Sequence, residues 1–277
     1  MSPPAGERTR LWHAAELGGV ELLHARYVQQ RFAPHVHDSY VFTVIESGAQ
    51  RFRHRGSEHL APVGSMVLIN PDELHTGAKA HDLGWRYRGF YPAGASVGAV
   101  LDELGLGRSG TPGFAQSVIH DGAVAQAFSH LHRLAEHGAS ALQQQTAWRE
   151  ALLLLFQRHA RIREAPAPGV EPLAVARARE LLAAQLAAPP SLEQLAASVG
   201  LSPFHFARVF RKATGLPPHA WVQQQRLKQA RALLRADHAP LDVALRLGYC
   251  DQSHLTRQFK QAYGVAPGEY RRACTDK

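Results

Sequence analysis

The C-terminal part of this chain contains one residue pattern twice, and this repeat limits what the chain can fold into. Gly200 recurs as Gly248 after 48 residues, and Gly215 recurs as Gly264 after 49 residues. Two copies are too few for a solenoid, so we predict two copies of one small helical unit. The other recurring pairs are Ala196/Ala244, Leu201/Tyr249, Phe206/Leu255, Arg208/Arg257, Phe210/Phe259, Pro218/Pro267 and Trp221/Tyr270.

The first copy carries the signals of a helix-turn-helix unit. Ser191 is placed to cap a helix from Leu192 to Val199, and Gly200 ends that helix by adopting a positive φ. Ser202 then caps a second helix that begins at Pro203. Two helices joined by a turn of about three residues form this unit.

The second copy predicts the same arrangement. It has a helix from Leu241 to Leu247, a stop at Gly248, and a helix that Asp251 caps and that continues to Tyr263. Between the copies, residues 217–236 predict one helix of roughly 20 residues, or about 30 Å. One turn of B-DNA is roughly 34 Å, so both second helices are expected to enter successive major grooves.

The charge of the C-terminal part favours a nucleic-acid partner. Residues 170–277 have 15 basic and 8 acidic side chains, whereas residues 1–169 have 16 and 15. A basic surplus also occurs on plain solvated surfaces, and a lone helix-turn-helix also occurs as a packing unit. Two copies at this spacing, in a basic segment, favour double-stranded DNA as the partner.

Polar residues on the outer face of each second helix are the candidate DNA contacts. Apolar residues such as Phe206, Phe210 and Phe259 are expected to face inward. Gln pairs with adenine and Arg with guanine, while Lys suits phosphate. The candidates are Arg208, Arg211 and Lys212 in the first copy, and Gln252, Ser253, Thr256, Arg257 and Lys260 in the second.

Residues 192–272 resemble the double helix-turn-helix domain of the AraC/XylS family of bacterial transcription regulators. The match is densest from Gly248 to Lys260. The resemblance implies base contacts from early positions of each recognition helix. Ala207 departs from the polar residue often found there, which leaves Arg208 as the main reader of the first helix. The implied positions are Phe204, Ala207, Arg208, Gln252, Ser253 and Arg257.

The prolines between Glu164 and Pro172 predict a linker, because they disfavour helix and the segment offers little to a core. We therefore expect an N-terminal domain at 1–163, a linker at 164–172 and a DNA-binding domain at 173–277. Short β-rich runs, separated by turn residues, predict strands in the first domain. These runs are Val41–Ile45, Arg51–His54 and Met66–Ile69, within a strand meander from about Glu21 to Tyr91.

Helical spacing follows the strands. Val97, Leu101 and Leu104 share one side of a short helix, and longer helices are predicted at Val124–His137 and Ala141–Ile162. The last helix contains the apolar run 152–156, which requires burial on two sides. It packs either on its own sheet or against the same helix of a second subunit, and we predict the second arrangement in a homodimer.

The N-terminal domain resembles the small cupin barrel that many members of the family use to bind an effector. That resemblance implies a jelly-roll barrel able to hold one small ligand. The fold class is therefore multidomain: a cupin-like β-barrel with added helices, then an all-α double helix-turn-helix domain. The residues that carry the resemblance are His35, His37, Gly48, Gly64 and His75, between Phe32 and Pro92.

Three roles remain open for the histidines: metal binding, hydrogen bonding to a polar effector, and packing. Cupin metal sites also use a Glu four or five residues after the second His, where this chain has Val41 and Phe42. We therefore predict that His35, His37 and His75 bind an organic effector and no metal. The two other candidate effector contacts, which are expected either to stack on the ligand or to pack the barrel, are Trp85 and Tyr87.

Together these features predict a cytoplasmic transcription regulator, without catalytic activity or cofactor, that binds operator DNA under the control of a small effector. RNA polymerase is an expected partner if the protein activates transcription. The alternative is a metal-binding cupin enzyme fused to a DNA-binding domain. No apolar run approaches membrane-spanning length, and two cysteines are too few for a disulfide scaffold.

Overall fold

The computed structural model describes residues 6–104, 106, 112–162 and 170–275, with only the backbone of residues 162 and 170–172. The chain divides into two compact units, Met1–Glu164 and Ala165–Lys277. Among the described residues, no helix combines the length and the apolar character needed to cross a membrane.

The first unit is built on antiparallel strands. Six of them form a sheet in the order β1-β2-β8-β4-β6-β10, while β7 pairs with β3 and β4, and β5 pairs with β4. The strands are β1 (Arg8–Ala14), β2 (Val20–Tyr27), β3 (Phe32–His35), β4 (Val41–His54), β5 (Ser57–Pro62), β6 (Met66–Ile69), β7 (His75–Lys79), β8 (Trp85–Tyr91), β9 (Pro112–Phe114), β10 (Val118–Ile119) and β11 (Ala160–Ile162).

Strand β4 connects the two halves of the barrel-like fold of this unit. Its first half pairs with β6 and β8, and its second half pairs with β5 and β7. The prediction that turn residues separate the runs Val41–Ile45 and Arg51–His54 is wrong, because the chain bends between them without leaving the sheet. Gly48 has φ +69°, and a Cβ on it would lie 2.1 Å from the carbonyl oxygen of Gly84. Only glycine fits this close approach.

Helices cover one face of the sheet. They are α1 (Gly94–Glu103), α2 (Gly122–Glu136) and α3 (Ala141–His159). Phe42 and Phe90 from the sheet pack with Phe128 and Trp148 from the helices in one buried cluster. The predicted end of α3 at Ile162 is wrong, because residues 160–162 leave the helix and pair with β9.

The apolar run in α3 is buried mainly within its own unit. Leu152, Leu155 and Phe156 lie in the core, and Leu153 and Leu154 are half-buried. The sheet and α2 of the same unit therefore supply much of the burial that this run requires. The homodimer stays a prediction.

The second unit is entirely helical in its described residues. The predicted linker extends to 172, but a helix already begins at Val170; residues 164–169 of that linker lie outside the described residues. The helices are α4 (Val170–Ala184), α5 (Leu192–Ser198), α6 (Pro203–Thr214), α7 (Pro218–Arg235), α8 (Pro240–Arg246), α9 (Gln252–Tyr263) and α10 (Pro267–Thr275).

The internal repeat is confirmed in three dimensions. Helices α5 and α8 each have 7 residues, and α6 and α9 each have 12. Ser202 and Asp251 cap α6 and α9 by accepting backbone N–H bonds from His205 and His254. Helix α7, which lies between the two helix-turn-helix copies, has 18 residues and therefore a length of about 27 Å.

Candidate functional site

The first recognition helix, α6, has a buried side and an exposed cationic side. Phe206, Val209 and Phe210 are buried as predicted, in a cluster with α4, α5 and α7. Arg208 and Phe204 are exposed, Phe204 to 82%. Of the other predicted contacts in this helix, Arg211 and Lys212 are exposed and Ala207 is half-buried.

The second recognition helix, α9, has the same division. Leu255 and Phe259 are buried. Thr256 turns its hydroxyl back onto its own helix, donating a 2.8 Å bond to the carbonyl of Gln252, so it is less available to a base. Among the predicted contacts, Gln252, Ser253 and Arg257 are exposed, and Thr256 and Lys260 are half-buried.

Two buried arginines of α7 hold the second copy in place. Arg226 donates to the carbonyl oxygens of Leu186 and Ala187, at 2.8 and 3.2 Å, and lies over the ring of Tyr249. Arg231 lies over the rings of Tyr263 and Tyr270, at 5.1 and 5.6 Å from their centroids. The sequence analysis missed both arginines, because their burial follows from tertiary packing and not from a local pattern.

The three histidines of the N-terminal unit lie together. His35 ends β3 and faces His75, its register partner at the start of β7, and His37 lies two residues beyond β3. The centroids of the His35 and His75 rings are 4.3 Å apart, and each lies within 5.3 Å of the His37 ring. All three are buried, with exposures of 4, 7 and 8% in chain order.

The surroundings of His75 favour its uncharged form. Burial, followed by the neighbouring His35, holds the pKa of His75 well below its usual range. The adjacent Glu73 is occupied elsewhere: its carboxylate accepts hydrogen bonds from His54 and Arg55, both at 2.9 Å. Burial alone would raise the pKa of Glu73, but these two bonds lower it to about 2.

Trp85 and Tyr87 lie in the apolar core of the barrel. They pack with Tyr27 and Phe32. Trp85 is 1% exposed, and among the described residues its indole N–H has no hydrogen-bond partner. A buried indole usually finds such a partner, so this N–H is an unsatisfied donor in the core of the barrel.

Two protein families match this chain in the order of its two units. Residues 17–152 match the AraC-like ligand binding domain, and residues 195–273 match a helix-turn-helix domain. The chain belongs to the AraC family of transcription regulators. It has the ligand-binding domain and the helix-turn-helix DNA-binding domain of that family.

Relatives of the AraC family match the chain to different extents. YbfI, an uncharacterized HTH-type transcriptional regulator of Bacillus subtilis, is 27% identical over 239 residues, or 85% of this chain and 86% of that protein. The Escherichia coli arabinose operon regulatory protein is 33% identical over 87 residues, or 31% of this chain and 30% of that protein. ToxT from Vibrio cholerae has the same fold, with a TM-score of 0.54 at 11% identity over 98% of this chain and 99% of ToxT.

This AraC-family chain also has a buried ion network that the sequence analysis missed. Arg88 of β8 donates to Glu46 of β4 and to Glu136 of α2, at 2.6 and 2.5 Å, and to a ring nitrogen of His132 at 2.8 Å. The ring nitrogens of His24 lie 3.1 Å from the same two carboxylates. The network joins α2 to the outer face of the barrel.

A groove of about 380 Å³ lies beside this network, between β4 and α2. Ile45, Glu46, Gln126 and Arg133 contribute to its lining. None of the five predicted effector residues lines it. The groove and the histidine cluster are therefore separate places on the first unit.

Proposed function

We propose that this protein is a sequence-specific DNA-binding transcription regulator without catalytic activity, controlled by a small molecule in its N-terminal barrel. One observation carries the DNA-binding part: two helix-turn-helix units of equal helix lengths expose cationic faces on α6 and α9. The 27 Å length of α7 supports docking of both helices on one face of the duplex. RNA polymerase contact and homodimer formation stay predictions.

The control by a small molecule is supported by the barrel interior. Three buried imidazoles and an unsatisfied indole N–H are polar groups that a ligand can engage. ToxT, which shares only the fold, has been crystallised with an unsaturated fatty acid bound. An effector must bind one state of the regulator better than another, since equal affinity for both would shift nothing.

Replacing Arg208 or Arg257 by alanine will weaken operator binding by about 1–3 kcal/mol each, because an arginine that reads guanine makes paired hydrogen bonds. This loss of affinity will occur only with DNA that has the preferred base at the position that the replaced arginine reads. Replacing Lys260 by alanine will weaken all sequences alike and reduce the salt dependence, as expected for a phosphate contact. The measurement is binding to an operator selected from random DNA, at several salt concentrations.

Arg177→Ala is the matched control, since Arg177 is an exposed arginine on α4, outside both recognition helices. It should leave sequence preference unchanged. The selected operator should contain two short motifs separated by about 10 base pairs. Two arginine variants that bind this operator as tightly as the parent would refute the assignment.

A further inference from the structure

The histidine cluster has the geometry of a metal site. His35, His37 and His75 each offer one ring nitrogen, and these three nitrogens lie within 4.8 Å of one another. In a tetrahedral site with metal–nitrogen distances of about 2.0–2.1 Å, ligand nitrogens are separated by roughly 3.3 Å. The nitrogens are therefore up to about 1.5 Å farther apart than in a metal-bound site, and they must move together when the ion binds.

Hydrogen bonds to the backbone fix the tautomers of two of these rings. Nδ1 of His35 lies 2.7 Å from the carbonyl oxygen of Ala33, and Nδ1 of His75 lies 3.0 Å from that of Glu73. A carbonyl oxygen only accepts, so both Nδ1 atoms carry the proton and both Nε2 atoms keep a lone pair. Metal-binding histidines are typically oriented by this kind of second hydrogen bond.

The donor set is chemically selective. It contains three imidazoles and no carboxylate, because the Glu73 carboxylate is held by His54 and Arg55. Imidazole nitrogen suits Zn²⁺ and the neighbouring transition metals, whereas Mg²⁺ and Ca²⁺ require oxygen ligands. Three protein ligands also leave a coordination position for water or for an oxygen of a second ligand.

We propose that His35, His37 and His75 bind a divalent transition-metal ion of the Zn²⁺ type. This replaces the prediction of a metal-free histidine cluster, which rested on the carboxylate missing at Val41 and Phe42. The inference deepens the proposed sensor function and rests on it for the meaning of the signal. The metal is then either the effector itself or the group to which an organic effector binds.

The test uses the full chain without a polyhistidine tag, stripped with a chelator and titrated with Zn²⁺ by calorimetry. We expect about one Zn²⁺ per chain, no binding of Mg²⁺, and a Co²⁺ complex whose visible absorption reports nitrogen ligands in a site of low coordination number. The double variant His37→Ala/His75→Ala should lose more than about 100-fold in Zn²⁺ affinity, because removal of ligands exceeds the cost of removing their outer partners.

The matched control is His81→Ala/His130→Ala, which removes two exposed histidines of the same unit outside the cluster. It should keep the parent affinity and the Co²⁺ spectrum. His75→Gln, which retains a polar side chain of similar size, guards against misfolding of the double variant. It should weaken Zn²⁺ binding while the circular dichroism and the thermal unfolding of the metal-free protein stay unchanged.

Two results would overturn the metal site: absence of stoichiometric Zn²⁺ binding by the parent, or Zn²⁺ binding by the His37→Ala/His75→Ala variant with the parent affinity. Selection of an operator by the metal-free protein is measured separately. Failure of the metal site with normal operator binding leaves the regulator assignment standing. Failure to select any operator refutes that assignment whatever the outcome with Zn²⁺.

Discussion

Replacing Gly248 by alanine will destabilise the C-terminal unit by about 2–5 kcal/mol, the sum of two costs. Gly248 ends α8 at φ +72°, a conformation that costs an L-residue roughly 1–2 kcal/mol. An added Cβ would also lie 2.2 Å from the carbonyl oxygen of Ala187. That oxygen belongs to a backbone segment held by Arg226, so relief of the clash requires a backbone shift costing about 1–3 kcal/mol more.

The internal repeat supplies the control. Gly200 occupies the same place in the first helix-turn-helix copy, with φ +70°. An added Cβ on Gly200 would meet no atom within 4 Å. Gly200→Ala should therefore cost only the conformational strain of about 1–2 kcal/mol. Chemical denaturation of the full chain, followed by hydrogen exchange in each helix-turn-helix copy, measures the loss of stability in both variants. Equal losses for the two variants would contradict the proposed close approach.

The helix-turn-helix domain could be predicted from the sequence because its signals are local. Ser202 caps a helix whose first residue is Pro203, and the glycine turns lie next to the helices that they end. The prediction placed both ends of α5 and α9, and the start of α6, within one residue of their observed positions. Propensity, capping and apolar spacing all indicate the same structure there.

The barrel could be predicted only in part, since its decisive contacts join distant residues. Glycine is required at position 48 because the backbone there lies close to the backbone of Gly84. The sequence around Gly48 gives no sign of this contact. Strand β11 has only three residues and forms because β9 is beside it. Extension of the helical pattern of α3 through these residues was therefore wrong.

The histidine site falls between these cases. The spacing of His35 and His37 identified the residues, and the absent carboxylate directed the prediction away from metal. The tautomers, which favour metal binding, depend on the carbonyl oxygens of Ala33 and Glu73. Those oxygens become visible only when the backbone path is known.

Replacing Arg88 by methionine will destabilise the N-terminal unit by about 3 kcal/mol at neutral pH. Arg88 is buried and lies between Glu46 and Glu136, so its loss leaves two neighbouring carboxylates without the guanidinium that bridges them. Breaking a buried ion pair in this way costs about 3–5 kcal/mol. The lower value applies because both carboxylates retain some contact with solvent.

The effect of Arg88→Met should depend on pH in a definite direction. Hydrogen bonds, chiefly from His24 and then from Arg88, lower the pKa of Glu46 to about 2. Burial alone would raise the pKa of Glu136, but hydrogen bonds from Arg88 and His24 lower it to about 2. A carboxylate whose pKa is lowered by folding contributes fully to stability above pH 4.5, its ordinary pKa. This contribution is lost as the pH falls towards 2. Without Arg88 both values rise, so the difference between parent and variant shrinks across this window.

Arg86→Met is the control for this prediction, since Arg86 lies on the same strand and faces the same Glu46 at 3.5 Å. Its side chain is about half exposed, so the pair is screened and its loss should cost at most about 1 kcal/mol. Denaturation of both variants between pH 3 and 7, with hydrogen exchange in α2, measures the effect. A loss for Arg88→Met that matches Arg86→Met, or that does not shrink with acidification, would show that the network does not hold α2 on the barrel.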